Sequence, residues 1–287
     1  MESARSSELW NRVEDRIGAW RIVVERVAET ETSVLAFGQR GRQRVVLKVV
    51  KSRGDEWRSG TILDAFDGRG VVRVYDYVEG AMLLERLSPG GSLASLALSG
   101  TDDDATGVLA ETIRKMSPRT PVDAVPTTQD WGNGFDRYAA SGDAQVPKPL
   151  LSAAHRLYSE LCRSQTRVRL LHGDLHHDNV LFDAERGWLA VDPKGVVGEL
   201  EYEVGAALRN PYERPESFAE PSIIGKRVER FVDTLGLDAT RVLSWAFAQA
   251  VLAATWAVED GLRIEQGNGW IAVANALRPM LDRSVDA

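Results

Sequence analysis

The stretch Leu170–Asp192, LLHGDLHHDNVLFDAERGWLAVD, holds the residues best suited to chemistry. Asp174 follows His172-Gly173, Asn179 lies five residues further on, and Asp192 closes the next apolar segment. A carboxylate beside a glycine-loosened backbone can take a proton from an incoming hydroxyl. An amide oxygen and a second carboxylate are hard donors of the kind Mg²⁺ accepts when it is shared between protein and phosphate. Such a set suits phosphoryl transfer, in which the protein mainly positions reactants and neutralises charge. The competing reading is a polar turn followed by a buried hairpin, with Asp192 simply ending a strand.

Two upstream residues bear on that choice. Lys48 interrupts the apolar run Val45-Val46-Leu47-Lys48-Val49-Val50, so its ammonium must reach water or meet an anion. Glu56 opens the following helical segment, from which a carboxylate can reach back to the strand. Together they would aim the lysine at nucleotide phosphates. Separately, each has a plainer reading: an edge-strand lysine in water, and a glutamate favoured by the positive end of a helix. Their position, after three strands and ahead of the Asp174 motif, favours the pair.

The elements that must position these residues follow from hydrophobic periodicity. Alternation predicts strands at Trp20–Val27, Ser33–Gly38 and Arg44–Val50, with Gly38-Gln39-Arg40-Gly41 as a turn. A helix over Asp55–Phe66 and strands at Val71–Tyr77 and Ala81–Leu87 come next. Ser88-Pro89-Gly90-Gly91-Ser92 reads as a linker, and Ser117–Thr128 as a proline- and threonine-rich break. Helices are predicted over Asp103–Met116 (Asp102 as N-cap), Pro149–Gln165, Pro221–Leu235, Asp238–Asp260 and Gly269–Arg283. Val180–Asp183 and Trp188–Asp192 form a hairpin candidate. The fold class is therefore α+β. A small strand-rich part with one main helix spans 1–87, and a larger, mostly helical part spans 92–287.

Composition excludes several classes. With 35 Lys+Arg against 42 Asp+Glu, the net charge of −7 argues against sequence-independent nucleic-acid binding. The single cysteine, Cys162, cannot form an internal disulfide and fits a reducing compartment. The N-terminal residues mix charge with apolar side chains, unlike a signal peptide. Trp245–Val258 falls short of the about 20 residues that a membrane span needs, and it contains Gln249. A buried helix and a cytoplasmic protein without membrane contact are expected.

The chain resembles the aminoglycoside phosphotransferases of the protein-kinase-like fold, and within them the streptomycin 6-phosphotransferase and hydroxyurea phosphotransferase group. The likeness rests on LHGDLHHDN (Leu171–Asn179), RGWLAVDPKGVVGE (Arg186–Glu199), DEWRSGTIL (Asp55–Leu63), DGRGVVRV (Asp67–Val74), MLLERL (Met82–Leu87) and LAATWAVEDG (Leu252–Gly261). Ser117–Val146 carries it least. The resemblance implies a bilobal fold: a small five-stranded antiparallel N-terminal lobe, a hinge at about 85–91, and a larger helical lobe with the catalytic loop, the metal site and the acceptor site. In it Asp174 would be the catalytic base, and Asn179 and Asp192 would hold Mg²⁺. Lys48, paired with Glu56, would hold the α and β phosphates of ATP. The Glu85 carbonyl and Leu87 amide would read the adenine edge. No glycine-rich loop lies between the first two strands, so the amides and hydroxyls of Thr30, Thr32 and Ser33 would meet the phosphates instead. Asp-Pro-Lys (Asp192–Lys194) and the lack of an activation-loop signature agree with the small-molecule branch.

What the resemblance implies for activity is an ATP- and Mg²⁺-dependent transfer of the γ-phosphate to a hydroxyl of a small polar molecule. The 6-hydroxyl of streptomycin comes first, giving antibiotic resistance through a monomeric enzyme. Because aminoglycosides are polycations, carboxylates are expected on the acceptor side. Glu199, Glu259 and Asp260 are the selected candidates, with Glu201 and Glu203 beside the first of them. Trp131 and Trp256 offer flat faces to a sugar, or simply fill a core. Hydroxyurea, an amino sugar or another metabolite is an alternative acceptor, and a catalytically silent kinase-like binding module is a further alternative.

Overall fold

Alternating burial on two neighbouring strands sets the first sheet. In the computed structural model, which describes residues 2–116, 122–211, 214–264 and 269–285, helix α1 (Glu2–Ala19) precedes strands β1 (Val23–Glu29), β2 (Ser33–Arg40) and β3 (Gln43–Val50). Val34 and Ala36 of β2 and Val45, Leu47 and Val49 of β3 bury one face against Val13 of α1. Lys48 therefore points to the opposite face, paired in register with Leu35. Pairing continues through Arg40 and Gln43, so the reversal falls at Gly41-Arg42, not at the expected Gly38–Gly41. β1 starts at Val23, because Trp20 and Ile22 are drawn into the core through a turn at Arg21.

A single 3₁₀ turn, Asp55–Arg58, leads into α2 (Ser59–Phe66), so the predicted helix is in fact two pieces. Ile62, Leu63 and Phe66 anchor it. β4 (Val74–Val78) and β5 (Ala81–Glu85) complete an antiparallel sheet of order β1-β2-β3-β5-β4. The expected linker forms a short strand, β6 (Pro89–Ser92). Then come α3 (Ala94–Leu98), α4 (Asp102–Lys115), α5 (Thr128–Ser141) and α6 (Lys148–Arg163). Next in order are β7 (Arg169–Leu171), β8 (Val180–Asp183), β9 (Gly187–Ala190), β10 (Val196–Gly198) and α7 (Leu200–Leu208). The chain continues with α8 (Pro215–Phe218), α9 (Pro221–Leu235), α10 (Ala239–Glu259) and α11 (Gly269–Val285). Of the predicted Ser117–Thr128 break, residues 117–121 lie outside the described residues.

Two compact units result. The first gathers residues 1–91, 115–122 and 181–194, and the second gathers 92–114, 123–180 and 195–287. The β8–β9 hairpin joins the first unit because Val72 N donates to Ala190 O (2.9 Å) and Ala184 N to Ser88 O (2.8 Å). A division by sequence position alone, at 85–91, thus misplaces the segment that ends in Asp192. The fold class is α+β, as expected.

In the second unit α10 is the central helix, with Trp245, Ala248, Val251, Leu252 and Ala254 fully enclosed. It is long and apolar enough to cross a membrane, yet 78% of its apolar window is buried inside the protein, which makes it a core helix. Helices α5 and α7 escape hydrophobic patterning. Helix α5 runs unbroken through Gly132-Asn133-Gly134, residues that weaken its signal in the sequence, and its start is fixed by a Thr127–Asp130 capping box.

Asp102 does not cap α4 as expected. It is the first residue of the helix, and its carboxylate accepts two hydrogen bonds from the buried Arg227 (2.9 and 2.6 Å). Arg227 also donates to the carbonyls of Ala207 (3.1 Å) and Asn210 (2.7 Å), joining α4, α7 and α9. Removing one partner of a buried pair costs about 3–5 kcal/mol, and partial access of water to Asp102 places this one at the low end. Arg227→Met is therefore expected to lower unfolding stability by about 3 kcal/mol in urea titrations. A loss below about 1 kcal/mol would show that the pair does not hold these helices.

Candidate active site

In the first unit a buried cation meets two carboxylates. Lys48 is 3% exposed. Its Nζ lies 2.7 Å from Glu56 Oε2 and 2.8 Å from Asp192 Oδ1. Burial alone would drive the ammonium pKa down, but the charges of Asp192 and Glu56 outweigh it and hold the pKa above its ordinary value. The lysine is thus a fixed positive charge. Glu56 reaches it from the 3₁₀ turn, and Asp192 from the end of the hairpin. Asp192 sits in the left-handed region at φ 58°, which non-glycine residues seldom adopt. The next residue is tied down, since the buried Ser59 Oγ of α2 donates to Pro193 O (2.6 Å).

Around this charge lies a cavity of about 310 Å³, within the size range of small-molecule sites. Leu35, Val46, Leu84, Leu181 and Val191 form its apolar walls, Lys48 and Asp192 charge one part of its lining, and Glu85 and Leu87 also line it. The Glu85 side chain is not available to a ligand. Its carboxylate is held by Arg186 and by the Arg73 amide (2.7 Å), so any contact from this residue runs through its backbone. The expected phosphate contact from Ser33 is corrected by the structure. Ser33 is 2% exposed, its amide donates to Thr30 Oγ1 (3.0 Å), and its hydroxyl pairs with that of Thr30 (2.9 Å). Thr32 remains on the exposed tip, with its hydroxyl 3.5 Å from Glu56 Oε2.

In the second unit the loop after β7 carries Asp174. Its backbone is pinned from below by Glu203 of α7, whose carboxylate accepts from the amides of His172 (2.7 Å) and Gly173 (2.9 Å). Burial pushes the Glu203 pKa up to about 7; the two amides oppose this, and the neighbouring Asp174 adds to it. Gly173 has φ 83°, and a Cβ there would come within 2.8 Å of the Trp131 ring, so no other residue fits. Asn179 Nδ2 donates to Asp174 O (2.9 Å) and lies 3.2 Å from His176 Nε2. Both contacts run through the Asn179 nitrogen.

The Asp174 carboxylate is about one-fifth exposed, with Arg209 Nη2 4.0 Å from Oδ1 and His176 Nε2 4.0 Å from Oδ2. Burial lowers the pKa of Arg209, and Asp174 counters that effect. Gln249 Oε1 accepts from Arg209 Nη1 (3.1 Å), while its amide nitrogen donates to Tyr202 O (2.6 Å). The arrangement offers a fixed, partly hydrated carboxylate that can accept a proton from a hydroxyl. Among the described residues no group of three His, Cys, Asp or Glu side chains could hold a metal by itself. Asn179 in the second unit and Asp192 in the first each carry a hard oxygen donor of the kind Mg²⁺ accepts.

The acceptor-side expectation needs correction. Glu199 is 3% exposed and accepts from Arg241 Nε and Trp245 Nε1. It anchors α7 to α10 within the core and cannot form an acidic wall for a ligand. Glu203, as described, is equally committed. Glu259 is paired with Arg137 through two bonds of 3.1 Å, and Asp260 is exposed at the end of α10. Trp131 and Trp256 pack edge-on at 5.6 Å. The sequence reading missed Ser59, Glu203 as a loop anchor, and Arg209. A usable signal existed for the last two. Each is a charge set among apolar residues of EYEVGAALR, the same pattern that marked Lys48.

Glu203 makes stability depend on pH. Between its ordinary value of 4.5 and about 7, the folded state keeps a proton that the unfolded chain has released. Its contribution to stability therefore falls as pH rises through that window and levels off above it. Glu203→Gln is expected to abolish this slope while losing about 1–3 kcal/mol for one unsatisfied amide. Urea midpoints of both proteins from acid to neutral pH would check this, and parallel profiles would refute it.

Residues 20–261 match the family described as aminoglycoside/hydroxyurea antibiotic resistance kinase. The chain is 34% identical over 250 residues to a streptomycin 3''-kinase of Klebsiella pneumoniae, covering 84% of this chain and 91% of that one. It is 32% identical to a streptomycin 6-kinase of Streptomyces griseus, over 82% and 77% of the two chains. Among solved structures, an aminoglycoside phosphotransferase APH(4)-Ia in ternary complex with ADP and hygromycin B superposes with a TM-score of 0.65. It covers 94% of this chain and 97% of that one at 14% identity, a likeness of fold. A matched span that takes in Lys48, Glu56, Asp174, Asn179 and Asp192 places the chain in the aminoglycoside/hydroxyurea antibiotic resistance kinase family.

Proposed function

We propose that this kinase uses ATP with Mg²⁺ and transfers the γ-phosphate to a hydroxyl of streptomycin. The observation that carries the reading is the buried Lys48 ammonium, kept charged by Glu56 and Asp192 at the wall of an apolar cavity. Lys48 would bind the α and β phosphates there, and Glu56 would fix its aim. The apolar walls would take the base, with the backbone of Glu85 and Leu87 at its edge and the Thr32 amide or hydroxyl toward the phosphates. Asp174 would accept the hydroxyl proton as the acceptor attacks. Asn179 and Asp192 would hold Mg²⁺, which when bound neutralises charge building on the phosphate oxygens.

Two relatives are named for different hydroxyls of streptomycin, 3'' and 6. That supports the antibiotic as acceptor, with the 6-hydroxyl as the first position to map. For a polycation, the carboxylates left on the acceptor side are Asp260 and the half-neutralised Glu259. A single cysteine and the proposed use of ATP support action in the cytoplasm.

Purified protein with ATP and Mg²⁺ is expected to add one phosphoryl group to streptomycin, seen by mass spectrometry. Fragmentation would then locate the hydroxyl. Unmodified streptomycin beside phosphorylated hydroxyurea or an amino sugar would move the acceptor assignment, and no turnover with any acceptor would favour the silent binding module. Asp174→Asn should keep its melting temperature and lose about 10²–10⁴-fold in kcat. Near-normal turnover would remove Asp174 from proton transfer.

A further inference from the structure

Helix α1 ends at Ala19, one residue before the stretch that matches the family, yet it reaches the group next to the Lys48–Glu56 pair. It docks on the sheet through the buried Val13, with Leu9 and Ile17 packed beside it. From the same face Arg12 donates to Val50 O (3.0 Å) and Gly80 O (3.0 Å), and its guanidinium lies 4.7 Å over the Trp57 ring. Val50 is two residues beyond Lys48, and Trp57 immediately follows Glu56. The circuit closes through the backbone, since Gly80 N donates to Trp57 O (2.8 Å) and Val50 N to Gly80 O (2.9 Å). It is packed tightly. A Cβ on Gly80, where φ is 74°, would come within 2.5 Å of the Trp57 ring and 2.6 Å of Arg12 Nη2.

We propose that Arg12 is a positioning residue for nucleotide binding: it braces the end of β3 and the Asp55–Arg58 turn against each other, and so fixes Glu56 against Lys48. The proposal rests on the reading of Lys48 and Glu56 as the phosphate anchor. A guanidinium suits the task because one planar group donates two hydrogen bonds while stacking on an aromatic face. A lysine would keep the charge but lose that geometry. Arg12 touches neither Lys48 nor Glu56 in any bond described, so its effect must pass through Trp57 and the strand end.

The test is titration calorimetry with MgADP, together with steady-state KM for ATP, on the full chain and its variants. Arg12→Ala is expected to weaken MgADP binding about tenfold, the scale on which outer partners of a ligand-holding group act. KM for ATP should rise alongside, and KM for the acceptor should stay unchanged. Arg12→Lys should fall between Arg12→Ala and the parent. Asp15→Ala, at an exposed position of the same helix, should stay within about twofold, as expected of a surface change away from the brace. A brace acting through Glu56 also predicts that Arg12→Ala adds nothing to Glu56→Gln, whereas independent structural damage would add to it. Additive losses, or a normal MgADP affinity in Arg12→Ala while Glu56→Gln is impaired, would overturn the proposal alone. If Lys48→Met and Glu56→Gln both bind MgADP normally, the phosphate-anchor reading falls and takes the brace with it.

Discussion

A lysine ammonium inside a sheet face sets the terms for the first unit. An unpaired buried cation would shed its proton, because removing it from water costs several kcal/mol. Lys48 stays charged because two carboxylates arrive from chain segments far apart in sequence, the turn before α2 and the end of the β8–β9 hairpin. Each arrival requires its own support. Glu56 depends on the Asp55–Arg58 turn, Asp192 accepts a left-handed backbone, and Ser59 ties Pro193 to α2. The sheet register that places Lys48 opposite Leu35 also places that charge beside an apolar cavity. The hairpin therefore belongs with the sheet for an electrostatic reason as well as a packing one.

The second unit solves a mirror problem with an anion. Glu203 lies under the His172–Asp174 loop, and its pKa is near neutrality because burial outweighs the two amides it receives. Those hydrogen bonds set the path of the loop before any ligand arrives. Arg209, itself enclosed and steered by Gln249, stands 4.0 Å from Asp174 and supplies positive potential to a carboxylate that would otherwise face Glu203. As the proton acceptor proposed for phosphoryl transfer, Asp174 would need no rearrangement of its backbone at that moment, which is the value of preorganisation.

Many of the acidic residues that give the chain its net charge of −7 are committed internally. Glu199 is absorbed by Arg241 and Trp245, Asp102 by Arg227, and Glu85 by Arg186. Negative charge near a site in sequence is thus a poor guide to negative charge offered to a ligand. A carboxylate that begins a helix beside apolar residues tends to be drawn into the core with a cationic partner, and only burial and bonding reveal which ones remain exposed.

The sequence by itself determined the five strands of the first sheet, most of the helices, and Lys48, Glu56, Asp174, Asn179 and Asp192 as candidates, of which folding gathers Lys48, Glu56 and Asp192 into one cluster. Those features are local: alternation of apolar residues, a charge set in an apolar run, and residues at short fixed spacing. Helices α5 and α7 were not legible, because two glycines weaken the helical signal of one and the other is short and buried on nearly every side. Tertiary structure alone decided that Ser33 turns inward to Thr30, that Glu199 and Glu203 are structural, that Arg209 stands beside Asp174, and that Arg12 reaches the end of β3. The physical reason is common to all of these. Whether a polar side chain faces a ligand or a neighbour depends on which partner folding brings within hydrogen-bond reach once water is excluded. That partner lies tens to hundreds of residues away in the sequence, where no local pattern records it.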